Sequence, residues 1–183
     1  QDSEPYISRS LAVLAREHLQ GNPLFNLIGK QARANRDIQY MLENLSADEK
    51  EVVIIEGGPG SGKTAVGIES LLTAVNNDMS RLAFVVRNAG LLQPLRKMLR
   101  RTGLTPFIKY PFEFVTQFEN ASGNTYGSED DSFDFVVVDE THRVPEFNRM
   151  YLTWPIKEEY QSGLTTVEEI IRCSRVSVFI IDP

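Results

Sequence analysis

The chain alternates between apolar runs without period and apolar positions at helical spacing. Leu11, Leu14 and Leu19 recur at helical intervals before Gly21-Asn22-Pro23 breaks the pattern, which predicts a leading helix. A second helix is predicted over residues 30–45, where Ala34, Ile38, Met41 and Leu45 form one stripe among charges. Val52-Val53-Ile54-Ile55 is short, β-branched and unalternating, as expected of a strand buried on both faces of a parallel sheet. The same reading gives a helix over residues 65–75, a buried strand over 82–86 and an amphipathic helix over 91–101. A short strand at 106–110 and a short helix at 112–118 follow, then a polar, acidic loop over 120–132 that reads as a solvated surface connection. Residues 135–138 and 176–181 are two further strong strands, with a helix over 166–172 before the second. Pro145 and Pro155 interrupt any helix in residues 141–163, which are left unassigned. Strands alternating with helices imply an α/β fold, its mostly parallel sheet covered on both faces.

Composition narrows this picture without naming an activity. The 183 residues suit one domain with little to spare, and 42% hydrophobic with 24% charged residues is the balance of an ordinary folded chain. No apolar run approaches the roughly 20 residues of a membrane helix, and the opening residues lack a signal peptide's basic and apolar regions, so a cytoplasmic protein without membrane partners is expected. Cys173 has no second cysteine to pair with, and with His18 and His142 as the two histidines a structural zinc site is excluded. A net charge of −6 gives no global attraction to nucleic acid, so any such binding must come from a local basic patch.

Gly57-Gly58-Pro59-Gly60-Ser61-Gly62-Lys63-Thr64 fits G-x-x-x-x-G-K-[ST] and lies between a predicted strand and a predicted helix, as that motif requires. Glycines let the backbone adopt positive φ and approach a ligand, turning the N–H groups of Gly60, Ser61, Gly62 and Lys63 toward phosphate oxygens. The following helix adds its positive end. Lys63 supplies a charge for β- and γ-phosphates and the Thr64 hydroxyl a ligand for Mg²⁺, so the expected ligand is a magnesium nucleotide bound by residues 58–64.

Downstream, Phe135-Val136-Val137-Val138 ends in Asp139 and Glu140. In a parallel sheet both strand ends open on the edge where ligands bind. Asp139 would hold Mg²⁺, directly or through water, and Glu140 would orient and deprotonate the attacking water. A carboxylate in that role favours hydrolysis over phosphoryl transfer to a metabolite.

Asp139-Glu140-Thr141-His142-Arg143 resembles the DEAH-type box of helicase-like ATPases, and the set looks like the first RecA-like domain of superfamily 1 DNA/RNA helicases. It is most similar to the Schlafen-type helicase-like domain, with Thr141 in place of the more usual alanine. The resemblance covers about residues 24–182, leaving 1–23 as an N-terminal helical extension, and implies a three-layer RecA-like P-loop domain. It further implies that Gln31 reads adenine and that His142 couples the nucleotide site to the nucleic-acid side. Arg87 and Asn88, with Arg96, Lys97, Arg100 and Arg101 on the next helix, would face single-stranded DNA or RNA; Arg143 joins this group. Asp182 ends a strand like the one entering the family's third motif, whose γ-phosphate-sensing glutamine does not appear. Helicases of this kind carry a second RecA-like domain with arginine fingers. A site without one loses something like 10³–10⁵ in rate, so the chain is expected to be the first motor domain of a longer protein.

These features imply an Mg-ATP-hydrolysing, nucleic-acid-dependent ATPase. The alternatives are a P-loop ATPase serving as a regulatory or defence switch, and an AAA-type ATPase acting on proteins. A GTPase lacks support, since no Asn-Lys-x-Asp motif occurs, and neither does an ABC-type Ser-Gly-Gly-Gln signature.

Overall fold

A computed structural model describes residues 23–46, 48–87, 107–119, 123–151, 154–158 and 161–183, with isolated positions at Val13, Glu17, Gln20, Arg96 and Lys97. Helix α1 spans Lys30–Asn44, strand β1 Glu51–Glu56, helix α2 Lys63–Asn76 and strand β2 Leu82–Val85. Strand β3 (Ile108–Lys109), a 3₁₀ turn (Pro111–Phe114), β4 (Phe118–Glu119), β5 (Thr125–Tyr126) and β6 (Phe133–Val138) follow. A second 3₁₀ turn (Thr141–Arg143), the short pair β7 (Met150–Tyr151) and β8 (Trp154–Pro155), helix α3 (Thr166–Cys173) and strand β9 (Ser174–Ile181) complete the described elements. The leading helix and most of the 91–101 helix fall outside the described residues, although Val13, Glu17, Arg96 and Lys97 are helical.

Five strands form one parallel sheet in the order β1-β9-β6-β2-β3. The domain is α/β, and the sheet flanked by helices agrees with the RecA-like fold. The period-two pleat distributes its side chains between two cores. Leu82 and Phe84, Phe135 and Val137, and Val176, Val178 and Ile180 face α1 and α2 through Ile38, Leu42, Ile68, Leu71 and Leu72. Ala83, Val85, Val136, Val138 and Phe179 face Phe114 and α3 through Ile170 and Cys173. Three layers result, with β6 and β9 buried on both sides because neither is an edge. Burial pushes the Cys173 thiol up to about 12, so this cysteine is packing, not chemistry.

Gly67 lets α2 approach the sheet. A Cβ there would lie 2.8 Å from Ile180 Cδ1, 2.9 Å from Val137 Cγ1 and 3.2 Å from Phe84 Cε2. The helix thus accepts a residue of low helix propensity in exchange for close packing.

Three expectations are corrected. Strand β1 is not buried on both faces: it ends the sheet, and Val52 and Ile54 are 45% and 65% exposed while Val53 and Ile55 pack inward. Residues 112–118 are not one helix, because the 3₁₀ turn stops at Phe114 and Phe118 enters β4. The acidic segment is not a plain solvated connection: β4 and β5 pair antiparallel, with Phe118 beside Tyr126. Its acids are also tied down, Asp130 to Arg172 and Asp131 to Lys50. Arg172 reaches further, donating to Ser128 O at 2.9 Å and Glu169 Oε2 at 3.1 Å. No helix among the described residues is long and apolar enough to cross a membrane.

Candidate active site

Parallel pairing brings the ends of β1, β9, β6 and β2 to one edge of the sheet. Phe179 of β9 stands between Ile54 of β1 and Val138 of β6, so the chain leaving β1 and the chain leaving β6 emerge on either side of β9. Two backbone bonds fix these exits: Gly57 N–H donates to Ile181 O at 3.3 Å, and Asp139 N–H to Val85 O at 3.0 Å.

Between β1 and α2 the chain makes a tight loop. Ser61 N–H donates to Gly58 O at 3.2 Å, so this group closes a turn. Gly60 and Gly62 have φ of 73° and 79°, and Gly62 is the residue immediately before α2. Only glycine adopts that conformation at no steric cost, and a Cβ at Gly62 would also lie 2.4 Å from Gln31 Nε2.

Lys63, the first residue of α2, turns its ammonium back over the loop. Nζ donates to Gly57 O, to Gly58 O at 2.8 Å and more distantly to Ser61 Oγ at 3.4 Å, and it pairs with Asp182 Oδ1 at 2.5 Å. That hydrogen bond holds the Asp182 carboxyl below the usual carboxylate range.

Thr64, one residue on, reaches the end of β6. Its Oγ1 donates to Asp139 Oδ2 at 2.8 Å, and Oδ1 of the same carboxylate accepts from Glu140 N–H at 3.0 Å. Burial raises the Asp139 carboxyl above its ordinary value, against the pull of the Thr64 hydroxyl, the Glu140 N–H and the Lys63 charge. Hydroxyl and carboxylate oxygens side by side are the hard donors that suit Mg²⁺, which keeps waters in its other positions.

Glu140 has a φ of 53°, a left-handed conformation that costs a side chain of this length of order 1–3 kcal/mol and clusters at functional sites. The Thr141 hydroxyl donates to Val138 O at 3.0 Å and closes the turn after β6. Glu140 Oε2 lies 2.9 Å from Arg143 Nε and 3.3 Å from His142 Nε2. His142 Nδ1 accepts from Asp182 N–H at 3.4 Å, and Arg143 O accepts from Arg87 Nη1. A continuous set of contacts therefore runs from Lys63 through Asp182, His142 and Arg143 to Arg87.

Gln31 lies against the loop as a brace. Its Nε2 donates to Ser61 O at 2.7 Å and its Oε1 accepts from Ile28 N–H at 3.2 Å. The geometry thus gathers Gln31, Lys63, Thr64, Asp139, Glu140, His142, Arg143 and Arg87 on one edge. Among the described residues Arg96 and Lys97 make no hydrogen bond or ion pair with this group, and Asn88, Arg100 and Arg101 lie outside those residues.

Two functional contacts escaped the sequence reading. Asp182 appears there as a strand end, not as the partner of Lys63, and no spacing rule joins residues so far apart. Glu69, fully buried on α2, accepts from Phe25 N–H and fastens the segment before α1 to the helix that carries Lys63. Its signal was the one acid in α2, set among mostly apolar residues.

A comparison with curated proteins finds no match for the chain. The family model described as Schlafen group 3, DNA/RNA helicase domain, matches residues 50–183. That span holds the loop after β1, the acidic pair after β6 and Asp182 after β9, and it covers well over half of the chain's 183 residues. On that ground the chain belongs to the Schlafen group 3 DNA/RNA helicase domain family.

Proposed function

We propose that the domain binds Mg-ATP on residues 58–64 and hydrolyses it in response to single-stranded DNA or RNA. Family membership implies a helicase-like nucleoside triphosphatase. The observation that carries the finer reading is the 2.8 Å contact between Thr64 Oγ1 and Asp139 Oδ2, made beside the Lys63 ammonium. A hydroxyl and a carboxylate contributed by two separate strand–loop units, next to a loop of backbone N–H groups, have the composition of a metal–triphosphate site.

In this reading Thr64 and Asp139 would hold Mg²⁺, whose charge would offset that of the phosphates. Lys63 and the loop bind the phosphates, and the N-terminal end of α2 faces them. Glu140 orients the attacking water and accepts its proton at the side-chain carboxylate. Gln31 braces Ser61 and retains a second amide N–H and a carbonyl lone pair for adenine. His142 and Arg143 carry the state of Glu140 toward Arg87 just after β2, where phosphates of a nucleic-acid strand would lie. A second RecA-like domain supplies arginine to the phosphates, by likeness to helicases. The route from Glu140 to Arg87 favours this motor over a switch indifferent to nucleic acid.

Binding and turnover separate the roles. Lys63→Ala is expected to abolish ATP binding in a calorimetric titration, whereas Glu140→Gln keeps the binding and loses hydrolysis by about 10²-fold or more. Normal hydrolysis by Glu140→Gln would remove Glu140 as the base.

A further inference from the structure

An ammonium has three N–H donors, and three acceptors crowd the Lys63 Nζ, with Ser61 Oγ more distant at 3.4 Å. Two are the neutral carbonyls of Gly57 and Gly58, within the loop itself. The third is the Asp182 carboxylate, brought in from the end of β9 at 2.5 Å, with the two side chains only 11% and 22% exposed. The first two accept hydrogen bonds and the third is held as an ion pair, so a phosphate oxygen approaching this lysine competes with them.

The three acceptors are not equally replaceable. A carbonyl dipole tolerates an anion beside it far better than a carboxylate does, and at such low exposure two anions around one ammonium are poorly screened. The displaced group is therefore the carboxylate. We propose that Asp182 is an affinity-setting competitor in the phosphate site: it pairs with the Lys63 ammonium that a nucleotide phosphate needs, and nucleotide binding breaks the Lys63–Asp182 ion pair.

The displaced carboxylate does not leave the site. Ile181 O stays bonded to Gly57 N–H, and Asp182 N–H stays on His142 Nδ1 at 3.4 Å. Released from Lys63, the charge has the Arg143 guanidinium and the His142 ring as neighbours, and both lie on Glu140. Occupancy of the loop thereby redistributes charge within the Glu140–His142–Arg143 group, which touches Arg87. This inference rests on the phosphate-site reading of the loop and adds to it a residue that weakens nucleotide binding.

The test is titration calorimetry of Mg-ATP into the natural full-length protein and its variants, with thermal unfolding of each recorded alongside. Asp182→Asn keeps the shape and an acceptor for Lys63 but removes the charge, and Asp182→Ala removes both. Each is expected to bind Mg-ATP about tenfold or more tightly than the parent, the scale of removing one poorly screened like charge. Asp182→Glu should stay within about threefold of the parent. Unchanged or weaker binding in the Asn and Ala variants, with a parent that binds and a Lys63→Ala variant that does not, would overturn the competitor role and leave the phosphate site standing. A parent that binds no Mg-ATP would overturn both.

Discussion

The charge on Asp139 is the residue on which the proposed metal site turns, and it is held at a cost. The side chain is 7% exposed, and burial lifts its carboxyl above the ordinary value. A folded-state value above the unfolded one means that the folded protein holds the proton more tightly. The stability this group contributes is therefore fully present below the ordinary carboxylate value and is lost as pH rises through the folded value. Asp139→Asn is expected to raise the melting temperature at pH 7 without metal, by about 2–4 °C for each kcal/mol relieved, and to flatten its decline as pH rises above the ordinary carboxylate range. It should also remove the Mg²⁺ dependence of nucleotide binding. A variant that melts below the parent at pH 7 with the same pH slope would contradict this account. At this scale the loop and the acidic pair were legible because each is a run of adjacent residues whose types are dictated by local chemistry. The Lys63–Asp182 pair and the Glu69–Phe25 bond were not, since each joins residues far apart in sequence, the first through a sheet register and the second through packing against α2, and no local pattern encodes either.

At the scale of elements, α2 is positioned by one missing side chain. Gly67→Ala adds helix propensity worth about 1 kcal/mol, but its methyl group would meet Ile180, Val137 and Phe84, all buried in the core. Overpacking of this kind costs about 1–3 kcal/mol, so a net destabilisation is expected as a lower denaturant midpoint. A midpoint equal to or above that of the parent would show that α2 does not depend on this close approach. Helix α3 is set differently, by a capping box in which Thr165 Oγ1 accepts from Glu168 N–H at 3.3 Å and Glu168 Oε2 accepts from Thr165 N–H at 2.7 Å. Strong apolar runs made the long strands and helices readable. The run in β1 misled, because four adjacent apolar residues look alike whether a strand is central or at the edge. The β4–β5 hairpin was invisible for another reason: two-residue strands are too short to show a period, and their stability comes from Phe118 on Tyr126 and from Arg172 behind them.

For the whole molecule, the order β1-β9-β6-β2-β3 places β9 between the strand that leads into Lys63 and the strand that leads into Asp139. The alternation of strands and helices was enough to reach the α/β class, and a resemblance carried by eight loop residues and an acidic box reached the helicase family, whereas the strand order came from non-local pairing. Because β9 ends between the two halves of the site, its last residues touch both: Asp182 pairs with Lys63 and also contacts His142. The contacts then extend to Arg87 after β2, which gives the proposed motor a physical route from phosphate to nucleic acid. The most direct test of that claim is the rate of ATP hydrolysis by the natural full-length protein, measured with and without single-stranded DNA and RNA. The account predicts slow basal turnover that rises at least tenfold with one of the two strands, lost in Glu140→Gln. Turnover that is the same with neither, with DNA and with RNA would contradict it.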